Sequence, residues 1–90
     1  MITTLILASQ LTVFCNYQAV YAETVMQARQ LPVPIVKMLE AANDPLNQAI
    51  VVMAYRKPRF ESTVEQKKSI TDFSNTIYLM CLENTDETNQ

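Results

Sequence analysis

The apolar residues of this chain recur at helical spacing, and prolines divide them into four segments. In the first segment, residues 13–30, polar residues occupy the remaining sides of the helix. We expect this helix to end before Pro32, because a proline disfavours helical geometry in the residue that precedes it. Its apolar stripe advances in steps of four, three and four residues through Cys15, Ala19, Ala22 and Met26.

The second segment is short. Its apolar positions lie three, four and seven residues after Ile35, which is typical of an amphipathic helix. Pro34 suits the first helical position, because the amide hydrogen that proline lacks would have no partner there. We predict a helix from Pro34 to about Asn43.

The third segment opens with a strong helix-start signal, Asp44 as N-cap and Pro45 at the first helical position. We predict a helix from Pro45 to Arg56, which Pro58 ends. The apolar run 49–55 is rich in β-branched residues and leaves a buried strand as the alternative, because periodicity alone does not assign so short a run.

The fourth segment opens with a capping box. Ser62 and Glu65 have the spacing at which a serine side chain and a glutamate side chain satisfy each other's backbone amide groups. We expect the helix to run to about Leu82. Residues 84–90 contain no apolar side chain and are predicted to form a frayed polar tail.

The N-terminal segment, residues 1–14, is apolar and has three interpretations: a weak or truncated export signal, a membrane-surface segment, or the opening turns of the first helix. Residues 20–22 resemble a cleavage site, but cleavage there would discard Cys15, and no basic residue precedes Arg29. The run is shorter than the ~20 residues that span a bilayer, so we expect no transmembrane span. We divide the chain into this segment, a helical domain (15–83) and the tail.

Glycine, histidine and tryptophan are absent from the 90-residue chain. Tight hairpins and phosphate-binding loops normally need glycine, so a multi-stranded β fold and a nucleotide loop are not expected. Without histidine there is no Ser/His/Asp triad, Cys/His dyad or histidine metal ligand. We therefore predict no catalytic residue, no metal, no cofactor and no enzymatic activity.

The net charge is -2, and the basic run is limited to Arg56, Lys57 and Arg59. Three cations on a net acidic chain are a weak footprint for nucleic acid. We predict a solvated helix end here and no nucleic-acid partner.

The two cysteines, Cys15 and Cys81, lie near the start of the first helix and the end of the fourth. In an up-down-up-down arrangement these helix ends are neighbours. We predict an all-α, small four-helix-bundle-like domain with one disulfide, periplasmic or secreted because disulfides persist in oxidising compartments. The alternative is two buried thiols in a cytosolic protein.

A set of short motifs between residues 15 and 82 resembles a group of small exported proteins of bacteria and their phages. The resemblance implies export, pairing of Cys15 with Cys81 and a helical fold, and it implies no particular activity. Its motifs, in order, are Cys15, Met26–Gln30 (MQARQ), Val33, Ala54-Tyr55, Pro58-Arg59-Phe60, Ser62-Thr63, Gln66, Ile70, Asp72-Phe73 and Cys81.

Four residues form a candidate partner- or anion-binding site at the pole where the first and third helices end: Arg29, Gln30, Tyr55 and Arg59. Two arginines can bind a carboxylate or phosphate through paired hydrogen bonds, and the tyrosine adds a hydroxyl. The simpler interpretation is that both arginines neutralise carbonyls at helix C-termini.

Small size, a stapled helical scaffold and the missing catalytic residues favour a non-enzymatic binding or interaction protein of the cell envelope or the secreted fraction, with an unidentified protein partner. A homodimer is compatible with this function and equally with the alternative that follows. The alternative is a small-ligand-binding or enzymatic helical domain with a methionine-lined pocket between helices. The methionines in question, for which core filling is the simpler role, are Met26, Met38, Met53 and Met80.

Overall fold

A computed structural model describes the backbone of residues 2–88 and the side chains of residues 10–84. Within this part of the chain there are four α-helices and no strand, which confirms the all-α prediction. The helices are α1 (Ile2–Gln30), α2 (Ile35–Ala41), α3 (Pro45–Tyr55) and α4 (Thr63–Thr88).

The helix starts follow the predicted caps closely. The Asp44 carboxylate accepts a hydrogen bond from the amide of Asn47 at 2.8 Å, which caps α3. The Ser62 hydroxyl accepts a hydrogen bond from the amide of Glu65 at 3.4 Å and caps α4. Pro34 is the N-cap of α2 and not its first helical residue, because its ψ of 145° is extended.

The run 49–55 is helical, and the strand alternative is wrong. Ile50, Val51 and Ala54 are buried on one side of α3, and this spacing suits a helix packed on one face. The Asp44-Pro45 start signal therefore outweighs the β propensity of the run.

The fourth helix is longer than predicted, because it continues past Leu82 to Thr88. No glycine or proline follows Leu82 to stop the helix. The backbone of residues 84–88 is therefore helical, whereas residues 89–90 of the predicted tail lie outside the described residues. At the other end, α1 is continuous from Ile2, and the predicted division at residue 14 stays a prediction.

The long helices α1 and α4 lie side by side and antiparallel. A disulfide joins Cys15 to Cys81, 66 residues apart in sequence, with their Cα atoms 5.5 Å apart. The predicted bridge is confirmed, and the alternative of two buried thiols is wrong for this structure.

The core lies at one end of the α1–α4 pair, where α2 and α3 pack against it. Its buried side chains come from the second half of α1, from Ala42 at the end of α2, from α3 and from the central part of α4, while α2 itself contributes only half-buried residues. The cluster consists of Ala22, Val25, Met26, Ala42, Ile50, Val51, Ala54, Phe73 and Ile77.

Among the residues that the structure describes, no helix combines the length and the apolarity needed to cross a membrane.

Candidate functional site

The structure brings together the four residues predicted for the anion site. The guanidinium carbon of Arg29 lies 5.4 Å from the centre of the Tyr55 ring, which is cation–π distance. The Arg29 Nε donates a hydrogen bond to the carbonyl of Lys57 at 3.0 Å. The C-terminal ends of α1 and α3 therefore lie at the same pole, as predicted.

Gln30 is the centre of this group. Its side chain is only 3% exposed; its Nε2 donates to the carbonyl of Pro58 at 3.0 Å and its Oε1 accepts from the amide of Phe60 at 2.8 Å. A weaker contact joins Nε2 to the sulfur of Met26 at 3.6 Å. Arg59 adds a hydrogen bond between the same two segments, because its Nε donates to the backbone carbonyl of Gln30 at 3.0 Å.

We call Arg29, Gln30, Tyr55, Arg59 and the backbone of residues 57–60 the polar clamp. It ties the end of α1 to the linker between α3 and α4. The clamp is made of side chains that bond backbone groups nearly thirty residues away in sequence, so it orders a segment that has no regular structure of its own.

Tyr55 extends the clamp to the linker before α2. Its hydroxyl donates a hydrogen bond to the carbonyl of Val33 at 2.7 Å. Burial raises the pKa of Tyr55 above its ordinary value of 10.0, and the positive charge of Arg29 opposes that rise. The hydroxyl is therefore neutral at physiological pH and acts as a donor.

The hydrogen bonds of the polar clamp hold the fold together. Gln30 and Tyr55 bond backbone groups through their side chains, as do the Nε atoms of Arg29 and Arg59. No nucleophile is paired with a base among these contacts. Arg59 bonds the last carbonyl of α1, as the simpler interpretation expects, whereas Arg29 bonds the carbonyl of Lys57 in the linker after α3. Anion binding stays a prediction.

A half-open cavity of about 370 Å³ lies beside the clamp, between the α3–α4 linker and the first half of α4. Met26, Phe60 and Phe73 form its apolar part, while Lys68 and Asp72 are among its charged residues. The cavity is therefore amphipathic.

The four methionines of the predicted pocket do not share this cavity. Met26 lines it and is fully buried. Met38 and Met53 are half-buried against the core, and Met80 is 39% exposed on α4. Core filling accounts for the first three.

A second surface lies on α1, facing away from α4. Four of its apolar side chains are more than half exposed: Val13 at 67%, Phe14 at 53%, Tyr17 at 74% and Val20 at 54%. We call these four and Gln10 the outer face of α1. A shallow groove runs between Gln10, Val13, Phe14 and Tyr17.

The opposite side of the same helix is packed. Cys15, Ala19 and Ala22 are buried towards the other helices, and the carbonyl of Ala19 accepts a hydrogen bond from the Ser74 hydroxyl of α4 at 2.9 Å. The helix thus carries two apolar stripes, of which the described residues cover one.

Comparisons with protein-family models, with curated proteins and with solved structures find no match for this chain. The resemblance to small exported proteins stays a prediction.

The outer face is the feature that sequence reasoning missed. The stripe that contains Cys15 is sufficient to predict the helix, so the sequence pattern alone does not indicate a role for the apolar residues between its members. A second stripe with steps of three and four was present in the sequence, at Gln10, Val13, Tyr17, Val20 and Thr24.

Proposed function

We propose that this chain is a non-enzymatic binding protein of the cell envelope or the secreted fraction, and that it recognises a protein partner through the outer face of α1. The observation that carries the proposal is the exposure of Val13, Phe14, Tyr17 and Val20 on one side of a helix whose other side is packed.

The size of this surface supports binding. If a fully exposed aromatic side chain presents about 200 Å² and a valine somewhat less, the exposed fractions of the four residues add up to an area on the order of 400 Å². Apolar patches of roughly 300 to 600 Å² on single proteins are often functional. Tyr17 and Phe14 are also of the residue types enriched in protein interfaces. The outer face is therefore a better candidate for partner contact than the polar clamp, whose donors bond the chain's own backbone.

The disulfide supports the proposed location in the periplasm or outside the cell. Structural disulfides persist in the periplasm and outside the cell and are rare in reducing cytosol. Export is the further expectation from the apolar segment 1–14 and from the resemblance described above. Intact mass of the protein recovered from the periplasm and the medium, under non-reducing conditions, tests it: recovery only from the cytosol with reduced thiols contradicts the proposal.

Site-specific photo-cross-linking tests the binding role. A photoreactive phenylalanine analogue at position 17 should give a defined adduct in the cells that make the protein. The matched control is position 64, because Val64 is also on a helix and is 76% exposed. Val13→Glu should abolish the adduct from position 17, whereas Val64→Glu should not. Identical products from both positions contradict a role for the outer face.

The cavity beside the clamp favours a second candidate function, binding of a small amphipathic molecule with an anionic group. Its apolar part and its two lysines, Lys57 and Lys68, suit such a ligand. Glu65 and Asp72 also line the cavity, so the anionic group must lie on the side of the lysines. The probe is the dye anilinonaphthalene sulfonate, whose fluorescence rises on binding. Lys68→Glu should weaken the signal, and Lys67→Glu, which changes the next residue on α4, should leave it unchanged; equal effects of both variants contradict this function.

A further inference from the structure

The outer face has the spacing of a helix-pairing seam. Four of its five residues, Gln10, Val13, Tyr17 and Val20, follow one another in steps of three, four and three residues, and Thr24 continues this series four residues beyond the face. The average step is 3.5 residues. Side chains with this period stay on one side of a helix that packs lengthwise against another helix. A face that only touched a globular partner at one point would not need this regularity along two heptads.

We propose that the occupant of this face is a second copy of the chain, so that two α1 helices pack along their outer faces in a two-fold symmetric dimer. This inference rests on the proposed function, since it requires that the outer face be an interaction surface. It goes further by naming the partner.

Charge favours a second copy. No residue between Gln10 and Ala22 is charged, so two identical outer faces meet without opposing like charges, although each whole chain carries -2. In a two-fold interface the same patch must complement itself. Gln10 suits such self-pairing, because an amide both donates and accepts hydrogen bonds.

A membrane surface is a poorer occupant. Helices that lie on anionic lipid surfaces carry lysine and arginine beside their apolar face. The sequence has no lysine or arginine before Arg29, and the only charge in that stretch is the acidic Glu23.

The apolar centre of the face is smaller than a standard interface, so a dimer also needs contacts from the polar residues around it. The apolar centre contributes on the order of 400 Å² per chain, about half of the ~800 Å² that each partner buries in a standard interface. The polar residues that flank it on α1, such as Asn16 and Gln27, are exposed and can form the rim.

The test is a charge exchange at Val13 and Val20. We expect the purified oxidised protein to sediment at about twice its monomer mass of 10.2 kDa. Val13→Glu with Val20→Glu, and separately Val13→Lys with Val20→Lys, should each weaken self-association by roughly 100-fold through like-charge contacts. An equimolar mixture of the two variants should restore the dimer. Restoration does not depend on whether the helices run parallel or antiparallel, because both positions carry the same charge within each variant.

Two outcomes overturn the inference. One is a monomeric unmodified protein across the micromolar range, and the other is a mixture that stays monomeric although each variant keeps its helical circular dichroism. Val64→Glu with Leu79→Glu is the control for general solubility, and it should leave the dimer intact. If the first outcome is found and the monomer sediments with anionic phospholipid vesicles, the occupant of the face is a lipid surface.

The same position-17 adduct separates this inference from the proposed function. An adduct of twice the chain mass supports both. An adduct with a different protein, from a chain that is monomeric when purified, supports the proposed function and overturns the second copy.

Discussion

The two ends of the α1–α4 pair are held together by different forces. Near Gln30 the pair is covered by α2 and α3, and the core cluster and the polar clamp lie there. Near Cys15 the disulfide joins α1 to α4, and the core cluster on α1 begins only at Ala22, about two turns further along. We call these the four-helix end and the two-helix end.

The difference shows what a single neighbour can and cannot cover. One helix covers only one side of another, so the outer face of α1 stays in solvent at the two-helix end, where Tyr17 is 74% exposed. At the four-helix end, Ala22, Val25 and Met26 are fully buried because three helices surround them. The disulfide lies at the two-helix end, where the fewest side chains are buried. A small domain gains most from a covalent bond in such a region, because its core contributes little stability there.

The largest expected effect comes from removing the disulfide. Cys15→Ala with Cys81→Ala should lower the free energy of unfolding by about 4 kcal/mol, the chain-entropy value for closing a loop of this size. Thermal unfolding by circular dichroism should then shift down by roughly 15 to 30 °C.

Amide hydrogen exchange shows which part of the chain loses stability when the disulfide is removed. Without the disulfide, amides of the two-helix end should exchange much faster, while those of α3 should change only as far as global stability falls. A uniform increase along the whole chain would show that the two ends are not held independently.

The second effect tests the four-helix end. Gln30→Ala should cost about 2 kcal/mol, because it removes a buried side chain and leaves the part-buried amide of Phe60 and the carbonyl of Pro58 without their partner. Gln27→Ala, an exposed glutamine one turn earlier on α1, is the matched control and should be nearly neutral. Urea unfolding measures both, and a similar cost for the two glutamines would contradict the clamp.

A smaller effect is expected at the junction of the two ends. Ser74→Ala removes the hydrogen bond from α4 to the carbonyl of Ala19 and should cost about 1 kcal/mol. Thr76→Ala is the control, because its hydroxyl bonds Asp72 within the same helix at 2.9 Å and joins nothing across the pair. If both variants unfold at the same urea concentration, the inter-helix bond contributes nothing to holding the pair.

The smallest effect is a pH dependence. The folded state raises the pKa of Tyr55, so its contribution is fully present below the ordinary value of 10.0 and is lost as pH rises above it. Tyr55→Phe should be less stable near neutral pH and should show a shallower alkaline decline. Tyr21, whose pKa is raised by burial and by Asp44, is present in both proteins and cancels in the difference. Urea unfolding from about pH 8 to about pH 11 measures this, and parallel curves would contradict it.

The helices and the disulfide were predictable because their signals are local or simple. Asp44-Pro45 and Ser62 mark helix starts by their own chemistry, and an even pair of cysteines at two antiparallel ends points to one bridge. The end of α4 was not predictable in the same way, because no glycine or proline marks it.

The candidate sites were predictable only in part. The approach of Arg29, Gln30, Tyr55 and Arg59 to one pole follows from helix order. Their partners are backbone atoms: those of residues 57–60 for Arg29 and Gln30, the carbonyl of Val33 for Tyr55 and the carbonyl of Gln30 for Arg59. Almost every residue carries such backbone groups, so no residue type in the sequence indicates these contacts. The outer face of α1 was not predictable for another reason. The sequence shows two apolar stripes on one helix, and only the structure shows which of them packs against α4 and which stays exposed.

The 66-residue separation of the bridged sulfurs sets an order of events during biosynthesis. Cys15 lies in α1 and is synthesised before α2, α3 and α4, whereas its partner Cys81 lies in α4. Until α4 is synthesised, the Cys15 thiol is open to mixed disulfides with glutathione or an oxidoreductase. Correct oxidation therefore requires either that this thiol be protected or that the wrong adduct be exchanged once Cys81 arrives.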